Sequence, residues 1–220
     1  MLAGTALPHV TGEWEFYGRR FRLSPAVLIP RPETERVVEA ALELAGGMDT
    51  SPSILEVGTG SGCIAISLAL ELPAAELVAT DLFRGALQIA RLNAEVYRVS
   101  ERLGLVQADL LDGIAGRFDV VCANLPYMRT TEIEGPLNRE PRLALDGGPD
   151  GLQLIRRLVR DLPGRLAPGG GAVLEIDPRQ AEQVVRLAQE NLPGSSSAAL
   201  ADLAGRDRVV VIRVGDSREA

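Results

Sequence analysis

The chain has 220 residues, 46% hydrophobic and 24% charged, which fits one globular domain with a sizeable core. Its net charge of −7 counts against a face built to grip nucleic-acid phosphates, although a local basic patch stays possible. No apolar run reaches the length of a membrane span and no basic-then-apolar leader opens the chain, so no membrane partner is expected and the expected location is cytoplasmic.

All 23 positive charges are Arg, which reads as a compositional bias of the source genome rather than a functional signal. Cys63 and Cys122 both lie in apolar segments and read as buried thiols in a reducing compartment. Their spacing makes no metal site, and none is expected. His9, near the start, is the one histidine, so acid–base chemistry by imidazole is nearly removed from consideration.

In chain order, Gly12–Leu23 alternates around Gly18 and predicts a small hairpin. Its aromatic residues Trp14, Phe16, Tyr17 and Phe21 are expected to pack the hairpin rather than to stack on a ligand. A helix over Pro32–Leu44 follows, with Pro at an early position where the missing N–H does no harm. Short apolar runs then alternate with amphipathic segments. Strands are predicted at Ser53–Val57, Glu76–Thr80, Leu103–Gln107, Phe118–Ala123 and Gly171–Ile176, with helices at Ser61–Leu72, Arg84–Val99, Gly151–Leu166 and Arg179–Asn191.

That alternation implies βαβ units. The last strands, Ala198–Leu203 and Arg208–Val214, have no helix between them, which predicts antiparallel pairing at one edge of the sheet. The expected fold is therefore α/β: a seven-stranded, mostly parallel sheet with an antiparallel edge strand and helices on both faces, preceded by a short hairpin. The expected division is 1–30 for the N-terminal segment and 31–220 for the main domain. Met128–Pro149 reads as a long, mobile loop at the ligand edge, a place where lids occur.

Two stretches carry chemistry. Glu56-Val57-Gly58-Thr59-Gly60-Ser61-Gly62 ends the first core strand and opens a helix, so backbone can approach a ligand there. Alone this is a weak signal. Asp81, about twenty residues on at the end of the next strand, strengthens it by offering a carboxylate to ribose hydroxyls. Asp109, after the third strand, is placed to meet an adenine amine. Either Asp alone could be a turn-capping residue. A dinucleotide fits less well: Gly62 follows Gly60 by two residues rather than three, and Glu56 would repel a pyrophosphate. S-adenosylmethionine, with a sulfonium, an α-amino group and no phosphate, suits the acidic loop.

The second stretch is Asn124-Leu125-Pro126-Tyr127, directly after the buried run Phe118–Ala123. The Asn oxygen and a rigid backbone carbonyl can accept the two N–H bonds of a planar –NH2 group, and the ring can stack on its plane. This points to chemistry on an amide or exocyclic amine nitrogen. The bland alternative is a strand-end Asn that closes a turn.

With Val27-Leu28-Ile29-Pro30-Arg31-Pro32-Glu33-Thr34-Glu35, the loop Ile54–Gly62, and the segment Glu140-Pro141 through Ala144-Leu145 and Gly147-Gly148 to Asp150-Gly151-Leu152, the chain resembles the class I methyltransferases. More narrowly, it resembles the protein-(glutamine-N5) methyltransferases of peptide-chain release factors (the HemK/PrmC family). The resemblance implies S-adenosylmethionine as cofactor, held by Arg31, Glu56, Gly58, Thr59, Gly60, Ser61, Gly62, Asp81, Leu82, Asp109, Leu110 and Asn124. It implies a release factor as substrate, methylated on the glutamine of its Gly-Gly-Gln loop. Asn124 and the Leu125 carbonyl would hold the amide, Pro126 would fix the turn and Tyr127 would stack.

Two departures stand out. The family usually has Pro where this chain has Leu125, whose carbonyl alone is used. Family members also generally carry a helical N-terminal domain, whereas here the hairpin starts at Gly12. The same Asn-x-Pro-Tyr chemistry serves adenine-N6 and cytosine-N4 methylation of DNA, which the acidic balance disfavours. A cofactor-binding domain that has lost its substrate domain is the remaining alternative.

Overall fold

The computed structural model describes residues 6–47, 51–135, 137 and 140–215. A short helix α1 (Leu7–Thr11) leads into the hairpin β1 (Glu13–Phe16) and β2 (Arg19–Arg22). Then come α2 (Glu35–Ala45), β3 (Ser53–Val57), α3 (Cys63–Glu71), β4 (Glu76–Asp81), α4 (Arg84–Val96), β5 (Leu103–Gln107) and β6 (Phe118–Ala123). The chain closes with α5 (Gln153–Asp161), β7 (Leu166–Glu175), α6 (Ala181–Asn191), β8 (Ser196–Ala201) and β9 (Asp207–Arg213).

The main sheet has seven strands in the order β5-β4-β3-β6-β7-β9-β8. Strands β5 through β7 pair in parallel, β9 runs antiparallel to β7, and the edge strand β8 pairs antiparallel with β9. The inner strands β3 and β6 are buried on both faces, as their near-continuous apolar runs require, whereas the edge strand β5 exposes Gly104, Val106 and Gln107. Ile54, Val120 and Cys122 face a core built with α2 and α3, while Leu55, Val121 and Ala123 face one built with α5 and α6.

The chain moves outward from β3 through β4 to β5, then returns to the far side of β3 to lay down β6 and β7. The reversal between β3 and β6 opens a crevice at their carboxyl ends, where open α/β sheets bind ligands. The Gly58–Gly62 loop and the Asn124–Tyr127 loop leave from those two ends.

Several boundaries differ from the sequence expectation for local reasons. Helix α4 stops at Val96 rather than Val99 because Arg98 takes a left-handed φ of 57°. Helix α5 ends at Asp161 and tightens into a 3-10 turn over Leu162–Gly164, where Pro163 and Gly164 break the α pattern. Strand β7 begins at Leu166, ahead of the expected Gly171, because it runs through Pro168-Gly169-Gly170. The loop Met128–Pro149 is expected as a mobile lid. Instead its described residues carry 3-10 turns at Thr130–Glu132 and Arg142–Ala144, pinned by Met128 N–H to the Leu145 carbonyl (3.0 Å) and Gly147 N–H to the Met128 carbonyl (2.8 Å). Residues 136, 138 and 139 of that loop lie outside the described residues.

Candidate active site

A cavity of about 590 Å³ fills the crevice. Its floor is the Glu56–Ser61 loop, one side carries Asp81, Leu82, Asp109 and Leu110, and the other carries Asn124, Leu125 and Pro126. Residues Pro25–Leu28 and Pro30 form a further wall, with Pro141–Ala144 at the rim. The volume is in the range of cofactor and small-molecule sites.

The loop turns through left-handed glycines, with φ of 79° at Gly58 and 56° at Gly60. A Cβ on Gly58 would lie 3.1 Å from the Leu125 side chain, so the two loops pack against each other at this point. Gly62 lies outside the cavity wall; a Cβ there would come 3.1 Å from that of Ala90, so its role is close packing of α3 on α4.

Three of the backbone donors around the start of α3 already have partners. Gly60 N–H donates to Asp81 Oδ2 (2.9 Å), Gly62 N–H to the Thr59 carbonyl (2.8 Å) and Ala65 N–H to Glu56 Oε2 (3.1 Å). A glycine loop with one N–H turned onto Asp81, leading into a helix with another on Glu56, is a poor cradle for phosphate. This is the physical reason a pyrophosphate ligand fits badly here.

Three carboxylates line up at the ends of β3, β4 and β5. Glu56 is buried and receives the Thr59 hydroxyl at 2.5 Å; burial lifts its pKa to about 8 against the hydrogen bonds that favour the charged form. Asp81 is also raised by burial, opposed by the N–H groups of Phe83 and Gly60 that its two oxygens receive. Each oxygen keeps a second lone pair for a hydroxyl. Asp109 pairs with Arg157 at 2.9 Å while still lining the cavity. Leu110, beside it, holds a left-handed φ of 54°, and its carbonyl receives the Thr80 hydroxyl at 3.3 Å.

Across the crevice, Asn124 Nδ2 donates to the Thr34 hydroxyl oxygen at 3.1 Å. Pro126 lines the cavity, whereas Tyr127 is set behind it and donates its hydroxyl to Glu175 Oε1 at 3.1 Å. Burial first, and then the Glu175 charge, push the Tyr127 phenol well above its ordinary pKa. Arg31 is not in the wall. Its guanidinium pairs with Glu140, whose other oxygen receives the Ile29 N–H at 3.0 Å, so this ion pair ties the Pro30 segment to the rim loop.

The support beneath the Asn124–Tyr127 turn is not evident from the sequence. A Cβ on Gly147 would sit 2.6 Å from the Pro126 carbonyl oxygen, and one on Gly151 2.2 Å from that of Tyr127. Gln180 Nε2 donates to the same Tyr127 carbonyl at 3.0 Å. The Gly147-Gly148 and Asp150-Gly151 pairs were the available signal, since glycines at fixed places in a loop mark close backbone approach. Of the hairpin aromatics, Phe16 and Phe21 are buried edge-to-face, while Trp14 is 40% exposed. Cys122 is fully buried; Cys63 is buried too, but it touches the cavity, and burial raises both thiols far from reactivity.

Topology, glycine loop and acidic strand ends together define a Rossmann-like methyltransferase of class I. A family model for the ribosomal protein L11 methyltransferase (PrmA) matches residues 34–127. The release factor glutamine methyltransferase of Moorella thermoacetica is 44% identical over 210 residues, covering 94% of this chain and 74% of that protein. That of Rhodopirellula baltica is 39% identical over 216 residues, covering 94% and 73%. The solved protein-(glutamine-N5) methyltransferase (release factor-specific) of Alicyclobacillus acidocaldarius superposes with a TM-score of 0.55 at 32% identity, covering 89% of this chain and 99% of that one. The chain belongs to the release factor glutamine methyltransferase family.

Proposed function

We propose that this protein methylates the side-chain amide nitrogen of a glutamine in a peptide-chain release factor, with S-adenosylmethionine as donor. The observation that carries the reading is the Asn124 carboxamide at the cavity wall, its nitrogen end tied to Thr34 and its oxygen end left to accept. The donor supplies an electrophilic methyl on a sulfonium. The acidic row Glu56, Asp81 and Asp109 suits that phosphate-free, cationic ligand, with Asp81 for the ribose and Asp109 for the adenine edge.

An amide nitrogen is a weak nucleophile because its lone pair is delocalised into the carbonyl. Asn124 Oδ1 and the Leu125 carbonyl would each accept one N–H of the substrate amide, and both bonds strengthen as positive charge grows on nitrogen. The proton can leave to water afterwards, so no general base is needed. Leu125, 4% exposed, keeps its side chain packed on Gly58 and offers only its carbonyl, which is how Leu can stand where the family has Pro. Tyr127 sits behind the wall, so its ring would support the amide plane from the side of Glu175.

Mass spectrometry of a release factor incubated with the protein and S-adenosylmethionine tests the reading, with double-stranded DNA as control. The expected result is one added methyl on the glutamine of the Gly-Gly-Gln loop and none on DNA. Asn124→Ala is expected to abolish turnover and to leave cofactor binding within about threefold. Methylation of the DNA alone, or retained turnover in that variant, would overturn the substrate or the residue assignment respectively.

A further inference from the structure

A carboxamide has two ends of almost the same size, and only the oxygen end can receive an N–H. For Asn124 to hold a substrate amine, something must keep its nitrogen end turned away from the cavity. Its Nδ2 donates to the Thr34 hydroxyl oxygen at 3.1 Å. Thr34 is 2% exposed at the cavity wall, and its own hydroxyl proton needs an acceptor.

Glu175, at the end of β7, is the neighbouring carboxyl with an oxygen free to be one. It is 1% exposed and already receives the Tyr127 hydroxyl on Oε1, while Oε2 has no partner in good hydrogen-bond geometry. Burial lifts this carboxyl to about 7, and the neighbouring hydroxyls of Thr34 and Tyr127 and the charge of Arg208 restrain the rise; Glu33 adds to it. Asn124 donates to Thr34 and Tyr127 donates to Glu175, so a Thr34 hydroxyl turned to the unpartnered Oε2 would point every proton one way, from Asn124 to Thr34 to Glu175. A flipped Asn124 would set its carbonyl against an oxygen whose proton is committed elsewhere.

We propose that Thr34 and Glu175 are positioning residues for the methyl acceptor, with Thr34 fixing which end of Asn124 faces the cavity and Glu175 anchoring both Thr34 and Tyr127. The inference rests on the role of Asn124 given above. It predicts that the orientation of Asn124 is set by two residues outside the Asn124–Tyr127 loop, one just before α2 at the cavity wall and one on β7.

The test combines a spectroscopic and a kinetic readout on the full chain. Protein labelled with 15N at its four Asn residues gives four side-chain NH2 pairs, and the Asn124 pair is the one lost in Asn124→Ala. Thr34→Val removes the acceptor and should move that pair. Glu175→Gln puts an NH2 where the Thr34 proton must go and should move it as well. Both are expected to lower kcat on the release factor by about tenfold or more, with KM and donor affinity changed by less than about threefold. Thr34→Ser keeps the hydroxyl and should restore both readouts, which a purely packing role for Thr34 would not allow.

An Asn124 pair unmoved in both Thr34→Val and Glu175→Gln overturns the inference. So does Thr34→Ser behaving like Thr34→Val, or wild-type kcat in Thr34→Val. If the pair moves as expected but the wild-type protein leaves the release factor unmodified, the positioning network stands and the substrate assignment fails. Thermal melts of each variant separate a misfolded chain from a misplaced amide.

Discussion

Glu56 closes the first core strand with its carboxyl shut off from water, and in the ligand-free protein burial holds it near pKa 8, so it carries a proton at neutral pH. A cationic amino-acid group brought into the cavity favours the carboxylate and would expel that proton. Calorimetry at pH 7 in two buffers of different ionisation enthalpy is expected to show proton release on S-adenosylmethionine binding. Glu56→Gln should lose that release and bind about tenfold more weakly, the equivalent of one pKa unit.

The same shift sets a stability trend. A carboxyl whose folded pKa is raised from 4.5 to about 8 favours the native state fully below about pH 4.5, and loses that contribution as pH climbs through 8. Glu175, raised to about 7, acts in the same direction over an overlapping window. The depressed carboxyls, Asp146, Asp150 and Asp177 among them, titrate below this range and do not oppose it. The melting temperature of the ligand-free protein should therefore fall between pH 5 and pH 8, and fall less in Glu56→Gln.

At the scale of elements, the two functional loops differ in how much of each is local. Strands β3, β5 and β6 run over Ser53–Val57, Leu103–Gln107 and Phe118–Ala123, as their apolar runs predict. The residues that leave those strands are therefore placed by sequence position alone: Glu56 to Gly62 and Asn124 to Tyr127 were legible for that reason. What holds the second loop was not, because its support arrives from segments as far as 53 residues further on, at Gly147, Gly151, Glu175 and Gln180. Spacing along the chain does not encode such contacts.

Gly151 makes the point testable. It takes a φ of 77°, and a methyl there would meet the Tyr127 carbonyl oxygen at 2.2 Å. Gly151→Ala must push the Asn124–Tyr127 turn or itself give way. A displacement near 1 Å of a positioning group can cost about 100-fold in rate. We expect that order of loss in kcat, with S-adenosylmethionine affinity held within a few-fold because the Gly58–Gly60 loop leaves from a different strand. Affinity falling in step with kcat would mean that the two loops move as one unit through the Gly58–Leu125 contact.

For the molecule as a whole, the hairpin decides whether the cavity has its wall. Phe16 and Phe21 are sunk in the core that α2 and α3 share, and Tyr97 packs on Phe21 with ring centres 5.3 Å apart. Composition and alternation made the hairpin legible, but not what fastens it. Asn93, 1% exposed on α4, receives the Arg22 N–H at 2.8 Å and donates to the carbonyls of Arg22 (3.1 Å) and Ser61 (2.8 Å). One buried carboxamide thus ties the end of the hairpin to the start of α3, beside the glycine loop. Pro25–Leu28, the next residues along, form the wall opposite that loop. Replacing Asn93 with Ala leaves the half-buried N–H and carbonyl of Arg22 and the buried carbonyl of Ser61 to find new partners. Buried groups left unsatisfied cost about 1–3 kcal/mol each, part of which relaxation and water recover. Urea denaturation of Asn93→Ala should show a loss of at least about 1 kcal/mol, and donor affinity should drop with it. Asn93→Asp separates the two effects: it can still receive the Arg22 N–H but cannot donate to Ser61. If the Ser61 bond is what keeps wall and loop in register, the Asp variant should lose donor affinity as fully as the Ala variant while recovering part of the stability. Equal affinity in Asp variant and wild type would put the whole effect on the hairpin side.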